Sequence, residues 1–370
     1  MKKFVQYLDN KGLNDDYSII ISEINRNYTQ YNVGPYVQWQ NKYEVFPEQN
    51  LGPKEKKLIE IDVQNIGDLL RIVETHPYHP QCEYNIDLKA LHCIYGELKQ
   101  IQEMIGLSSL KTALVEQLLY FIQYLHVGKE SDFKHTVLFG PPGTGKTEIA
   151  KIIGNMYSKL GILKNNVFKK VSRSDLVAGY LGQTAIKTQK VIESCLGGVL
   201  FIDEAYALGD QGQNDSFSKE CVDTICEALS CHKESLMVII AGYEHELKES
   251  FFNMNIGLES RFIWRFKMDP YSPIELKDIF VKKLVENEWA TEEPPLVAWF
   301  EKRKDSFRNY GRDIENLITY SKISHGRRIY GKPQEERKKI TMEDLEKGYQ
   351  TFLKNKVIKP KNLTIQNMYI

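Results

Sequence analysis

The chain has 370 residues, room for about two to three domains, and its 42% hydrophobic content is ample for real cores. Forty-nine basic residues balance 49 acidic ones, so no global field favours nucleic acid or an anionic membrane. The six cysteines form no disulfide-scaffold pattern, the N-terminus lacks a signal-type apolar core, and no apolar run approaches the roughly 18 residues of a membrane span, which predicts a soluble, cytoplasmic chain with no membrane partner.

Residues 1–95 carry no motif that attaches to chemistry and are expected to form a separate N-terminal module of unknown function. Within it, Asn65 to Val73 has the pattern of one short capped helix. His76, His79, Cys82, His92 and Cys93 lie close together, but paired ligand spacings are the zinc signal and only half of one is present, so no structural zinc is expected. From Asp87 a helical pattern runs through Leu88, Leu91, Ile94, Leu98 and Ile101. Ile105-Gly106-Leu107 interrupts it, and a second helix follows through Leu110, Leu114, Leu118, Ile122 and Leu125.

The next stretch organises everything around it. His135 to Phe139 reads as a short buried strand, and Glu148 to Ile153 has helical spacing. Between them stand Gly140, Pro141, Pro142, Gly143, Thr144, Gly145, Lys146 and Thr147. Strand, glycine-rich turn and helix make this a P-loop, whose backbone N–H groups and helix N-terminus cradle phosphate. Lys146 is placed to reach the β- and γ-phosphates, and the Thr147 hydroxyl to hold Mg²⁺. ATP and Mg²⁺ are the cofactors this implies. The glycine break at Ile105-Gly106 either closes over the nucleotide base or simply joins two packed helices; periodicity does not separate the two.

Further on, Asn166 to Val171 is a candidate strand, leading to Tyr180 between two glycines, and Thr184 is expected to cap a helix reaching about Cys195. Gly197 to Ile202 is an apolar strand delivering Asp203 and Glu204 at its end. A polar loop over 209–218, a helix over 219–232 and a strand over 235–240 complete a pattern of alternating strands and helices. That alternation predicts an α/β fold, a parallel sheet covered on both faces with ligand at the strands' carboxyl ends. From Tyr271 the strands are expected to stop, and helical patterns at about 273–288, 312–325 and 341–355 predict a small all-α lid. The expected domains are thus 1–95, 96–270 and 271–370.

Downstream of a P-loop, Asp203 supports Mg²⁺ and Glu204 can polarise the attacking water, whereas elsewhere two such acids are a solvated strand end. Transition-state charge on phosphate also needs cationic donors, and Arg261 and Arg312 are the candidates. Alone, each would be an ordinary surface ion-pair residue.

With these motifs in place, residues 97–356 resemble the AAA+ ATPases, in the branch typified by red-type Rubisco activase and the stage V sporulation protein K group. The resemblance makes Lys146 and Thr147 the Walker A pair and Asp203 and Glu204 the Walker B pair. It makes Arg261 the finger reaching the next subunit's nucleotide and Arg312 the sensor-2 arginine of the lid. Tyr180, with Leu181 and Gly182, matches the pore loop that grips a threaded polypeptide, and Ile105 and Gly106 match the segment by the adenine. Where the wider superfamily often has a polar sensor-1 residue, Gly242-Tyr243 stands, which leaves that role unassigned.

The resemblance implies an ATP-driven remodeller of protein complexes working as a homo-oligomeric ring, a hexamer, on a client protein it does not name. A nucleic-acid motor or clamp-loader part is the first alternative, disfavoured by the zero net charge and the aromatic-apolar Tyr180-Leu181. A nucleotide-gated scaffold with negligible hydrolysis is the second, disfavoured by Glu204, Arg261 and Arg312 together.

Overall fold

The structure, a computed structural model, describes residues 55–128, 131–180, 182–209, 215–293, 295–332 and 337–356. β1 (Glu55–Lys57) pairs in parallel with β2 (Cys82–Tyr84). Between them, α1 (Ile66–Thr75) starts at Asn65, whose side chain accepts the Asp68 N–H while Asp68 Oδ2 accepts the Asn65 N–H. This reciprocal capping box fixes the expected short helix. The single helix expected over Leu88 to Ile101 is two, α2 (Leu88–Cys93) and α3 (Tyr95–Glu103), because Ile94 leaves helical space at φ −101, ψ 7. Gly106 and Leu107, both at positive φ, make the expected break before α4 (Ser108–Ile122). α4 stops short of Leu125, which is exposed.

The nucleotide-binding half then runs β3 (Thr136–Phe139), α5 (Lys146–Lys159), β4 (Phe168–Val171), α6 (Arg173–Leu176), α7 (Thr184–Glu193), β5 (Val199–Ile202), α8 (Ser216–Cys231), β6 (Met237–Gly242), α9 (Gly257–Arg261) and β7 (Trp264–Lys267). The five strands form one parallel sheet in the order β4-β5-β6-β3-β7. Their pleat divides the core in two. Leu138, Phe201, Ile239 and Phe266 join α1 to α5 on one face, while Val137, Leu200, Val238 and Ile240 join α7 and α8 on the other. Strand β7 is not legible in the pattern, yet it pairs with β3 from Thr136↔Trp264 to Phe139↔Lys267. Thr184 does not cap α7 but begins it: Gln183 holds the cap position, and the buried Thr184 Oγ1 accepts the Ala178 N–H.

The module expected to end near residue 95 does not separate there. Leu69 and Ile72 of α1 share one core with Ile149 and Ile153 of α5, and Lys159 reaches the buried Glu97 at 2.8 Å. Residues 55–95 therefore belong with the sheet, in the compact unit that begins at Glu55. The rest of the expected module, residues 1–54, lies outside the described residues.

The lid is α10 (Pro273–Glu286), β8 (Ala290–Thr291), α11 (Val297–Glu301), α12 (Tyr310–Ile329), β9 (Lys339–Ile340) and α13 (Met342–Asn355). Its own core gathers Phe280, Phe300, Phe307, Leu317 and Phe352. The strands do not quite stop at Tyr271, because β8 and β9 pair in parallel over two residues each and pin the α10–α11 connection to the start of α13.

His135, at the start of β3, is fully buried. Its Nδ1 accepts the Val238 N–H at 3.1 Å, so the proton sits on Nε2 and is donated to Leu229 O at 3.2 Å. Burial pushes its pKa from 6.5 down to about 3, and Lys134 and Arg261 act in the same direction against the Leu229 hydrogen bond. The unfolded imidazole gains its proton near 6.5 and the folded one only near 3, so stability should fall as pH drops between them. The expected slope is up to about 1.4 kcal/mol per pH unit, flattened in His135→Asn. Denaturant titrations across that range measure it, and equal slopes in both proteins would place the acid sensitivity elsewhere.

Candidate active site

The phosphate loop leaves the end of β3, where the Gly140 N–H donates to Gly242 O at 3.1 Å. Gly143 (φ 76) and Gly145 (φ 92) take the left-handed conformations that curl it. Thr144 Oγ1 donates to Pro141 O at 2.8 Å, and Tyr271 Oη donates to Thr144 O at 3.2 Å. α5 then begins at Lys146 with Gly145 in the cap position and no side chain capping its first turn, which leaves N–H groups for an anion. Lys146 Nζ donates to Gly140 O and Pro141 O at 2.8 and 2.7 Å. Burial pulls its pKa down to about 8; Arg312 adds to that, while Asp203 and Glu204 oppose it.

Asp203 and Glu204 stand at the end of β5. The Asp203 N–H donates to Val171 O, and its Oδ1 accepts the Glu204 N–H at 3.1 Å. Glu204 is held at φ 52, ψ 44, a left-handed conformation uncommon for a residue with a Cβ and enriched at functional sites. The turn leaves its side chain exposed in the cleft.

The lid supplies the opposite wall. The Gly311 N–H donates to Gly143 O at 3.1 Å, and a Cβ on Gly143 would run into the Asn309 carbonyl. The buried Asp313 accepts the Asn309 N–H at 2.9 Å and Lys356 Nζ at 2.8 Å, which fixes the start of α12 and so the place of Arg312. A cleft of about 780 Å³ lies between, within the usual range for ligand pockets. Gly140, Pro142, Gly143, Thr144, Gly145, Lys146 and Thr147 line it, together with Asp203, Glu204, Arg312 and Ile105. Gly106 (φ 67) packs instead against Tyr271 and Glu275 at the start of α10, and Pro141 contributes its carbonyl to Lys146.

Other expected residues lie elsewhere. Arg261 is not among the cleft-lining residues: its Nε donates to Ser230 Oγ at 2.7 Å and a terminal nitrogen to Gly257 O at 2.6 Å. Tyr180 is 73% exposed, Gly182 has φ 76, and Leu181 lies outside the described residues.

The structure adds wall residues that the motifs do not announce: Tyr206 and Tyr243, with ring centroids 6.0 Å apart, and Tyr271, Lys282 and Lys283. Tyr243 follows β6, the unassigned sensor-1 region, and burial is the main cause that raises its phenol pKa. Lys170 is a further addition. Its Nζ lies 2.6 Å from Asp203 Oδ2 and 3.4 Å from Thr147 Oγ1. The two oxygens expected to hold Mg²⁺ thus already face one cation, and a carboxylate with a hydroxyl suits that hard ion.

Residues 136–261 match a family model described as AAA, the ATPase family associated with various cellular activities. The chain is 37% identical over 296 residues to a cfxQ-like protein of Acanthamoeba polyphaga mimivirus, covering 79% of this chain and 73% of that protein. It is 32% identical over 258 residues to stage V sporulation protein K of Bacillus subtilis strain 168, covering 67% of this chain and 76% of that one. Among solved structures, the FIGL-1 AAA domain in complex with ADP aligns over 68% of this chain and 83% of its own at 22% identity, with a TM-score of 0.49.

Gly143→Ala tests the joint between loop and lid. The added methyl meets the lid backbone and sits at a φ of 76, so the lid should be pushed away from the phosphate loop. Nucleotide affinity should fall at least about tenfold, roughly 1.4 kcal/mol, while the circular dichroism spectrum is kept. Equilibrium binding measures this; unchanged affinity would detach the lid contact from the site.

Proposed function

The chain belongs to the ATPase family associated with various cellular activities, and on that premise we propose that it is an ATP-driven remodeller of protein complexes, working in the cytoplasm as a homo-oligomeric ring, a hexamer. The observation that carries the reading is the division of its cations: Lys146 and Arg312 line the cleft with Asp203 and Glu204, whereas Arg261 is held outside it. Lys146 and the first turn of α5 hold the phosphates. Thr147 and Asp203 would hold Mg²⁺, which when bound neutralises charge on the β- and γ-phosphates. Glu204, exposed beside Asp203, polarises the attacking water, and Arg312 brings lid charge to the γ-phosphate. Ile105 lies by the base.

Arg261 completes the neighbouring subunit's site. Tyr180 is exposed on the segment between α6 and α7 and grips the client polypeptide. Among the described residues no helix is long and apolar enough to cross a membrane.

Three substitutions test the chemistry. Lys146→Ala should lose nucleotide affinity, and Glu204→Gln should keep affinity while turnover falls; equal turnover in Glu204→Gln and wild type would remove Glu204 from the water. Arg261→Ala should lower turnover by up to the 10³–10⁵-fold range known for such fingers. Mixing it with Lys146→Ala subunits should restore part of the rate, because each supplies the half the other lacks. A steady-state phosphate assay over a range of protein concentrations reads both effects, and a rate per subunit that ignores concentration would remove the ring.

Tyr180→Ala separates gripping from chemistry. ATP binding and assembly should stay near wild type while a client trapped by Glu204→Gln subunits no longer co-purifies. Retained capture would take Tyr180 out of the client path, and an earlier melting transition would make it a packing residue.

A further inference from the structure

Strand β4 carries two adjacent lysines, and the pleat sends them to opposite faces. Lys169 points to the α7 side, where its Nζ donates to Ser194 Oγ at 2.9 Å. Lys170 points to the α5 side, where its ammonium reaches Asp203 Oδ2 at 2.6 Å and Thr147 Oγ1 at 3.4 Å, above the Phe201 ring. The register of β4 on β5, Val171 opposite Ile202, carries that side chain to the strand end where Asp203 emerges.

We propose that Lys170 is a resident cation of the nucleotide site, competing with the divalent ion for Asp203 and Thr147 and thereby setting the Mg²⁺ concentration at which nucleotide is held. The inference rests on the reading of the cleft as a Mg²⁺–nucleotide site. Two neighbouring carboxylates, Asp203 and Glu204, repel one another, and the ammonium offsets one of them. Neither the carboxylate oxygen nor the hydroxyl can serve an ammonium and a metal ion at full strength together, because the two cations repel at that distance. Lys170 must therefore give way as Mg²⁺ binds. Its side chain is half exposed on a four-carbon stem, so it can swing aside, and the ion pair it leaves is of the weak, solvent-screened kind. Without the metal, the same ammonium is a positive charge beside the phosphates, close to the first turn of α5.

Two effects of opposite sign follow from removing it. Lys170→Met should bind nucleotide more weakly in chelator, because a cation near the phosphates is gone. It should also reach half-saturation at a lower free Mg²⁺ concentration, because the competitor is gone. A destabilised fold would weaken both and so cannot imitate the pattern.

The experiment is binding of a fluorescent ATP analogue to the full chain, first in chelator and then along a titration of free Mg²⁺. In Lys170→Met, affinity in chelator should drop about two- to fivefold and the Mg²⁺ midpoint should fall about two- to fivefold, the scale of a half-exposed ion pair. Lys170→Arg should stay near wild type, and Lys169→Met should leave both values unchanged. A Mg²⁺ midpoint in Lys170→Met equal to wild type overturns the proposal, as does the same shift in Lys169→Met. If wild type fails to bind the analogue with Mg²⁺ at all, the functional reading and this inference fall together. If wild type binds and only the Lys170→Met shift is missing, the inference alone falls.

Discussion

One backbone contact joins the two halves of the site: the Gly311 N–H of the lid on the Gly143 carbonyl of the phosphate loop. Here a Cβ on Gly143 would run into the Asn309 carbonyl and one on Gly311 would crowd the Gly143 carbonyl, so the approach is made by two glycines. The contact is cheap to break, worth about a kilocalorie net, and Tyr271 Oη on Thr144 O and Lys282 Nζ on Glu103 O help it place the lid. The lid has its own core, so its packing does not depend on that contact. A joint between separate cores is the arrangement expected of a site that must admit and release a bulky polyanion.

Around that joint the charges are unevenly divided although the chain as a whole is neutral. Lys146, Lys170 and Arg312 arrive from a helix start, an edge strand and the lid, and they meet the acid pair that ends β5. Parallel pairing makes this convergence possible: β3, β4, β5 and β6 all end on the same side, so residues distant in sequence face one space. Burial pulls the pKa of the Lys146 ammonium down to about 8, so an anionic partner in the cleft would stabilise its charged form.

The sequence made the site's centre legible because its chemistry demands residue types at fixed spacing: glycines for the loop, a lysine, a hydroxyl, and acids after an apolar strand. The sheet's interior strands were legible for a related reason, since Val199 to Ile202 and Met237 to Gly242 are buried on both faces and read as unbroken apolar runs. Edge strand β7 was not, because Trp264-Arg-Phe-Lys alternates and only Phe266 is fully buried. The two-residue pairs of the lid are too short for any period to register. The boundary near residue 95 was misplaced because recognisable motifs begin only beyond it while the packing is continuous: the apolar face of α1 shares one core with α3 and α5. Lys170 belongs to none of the motifs; its position depends on β4–β5 register, which no local pattern states.

Arg261 and the phosphate loop are tied through one strand, and this is what gives the proposed ring its economy. At its far end β3 releases the loop at Gly140; at its near end His135 bonds Leu229 O and the Val238 N–H and packs against Phe262, the residue after Arg261. Ser230, the neighbour of Leu229, accepts from Arg261 itself. The arginine is therefore carried on the sheet, with α8 and β3 as its support, rather than on a mobile loop. Strand β3 spans only four residues, about 13 Å at the usual rise, so the scaffolds of the loop and the arginine lie within one sheet's width. In a ring, a change at one subunit's phosphate loop and a change at the arginine it offers its neighbour would then act on the same strand. Coupling between adjacent sites needs no added element: it would follow from the stiffness of a buried parallel strand.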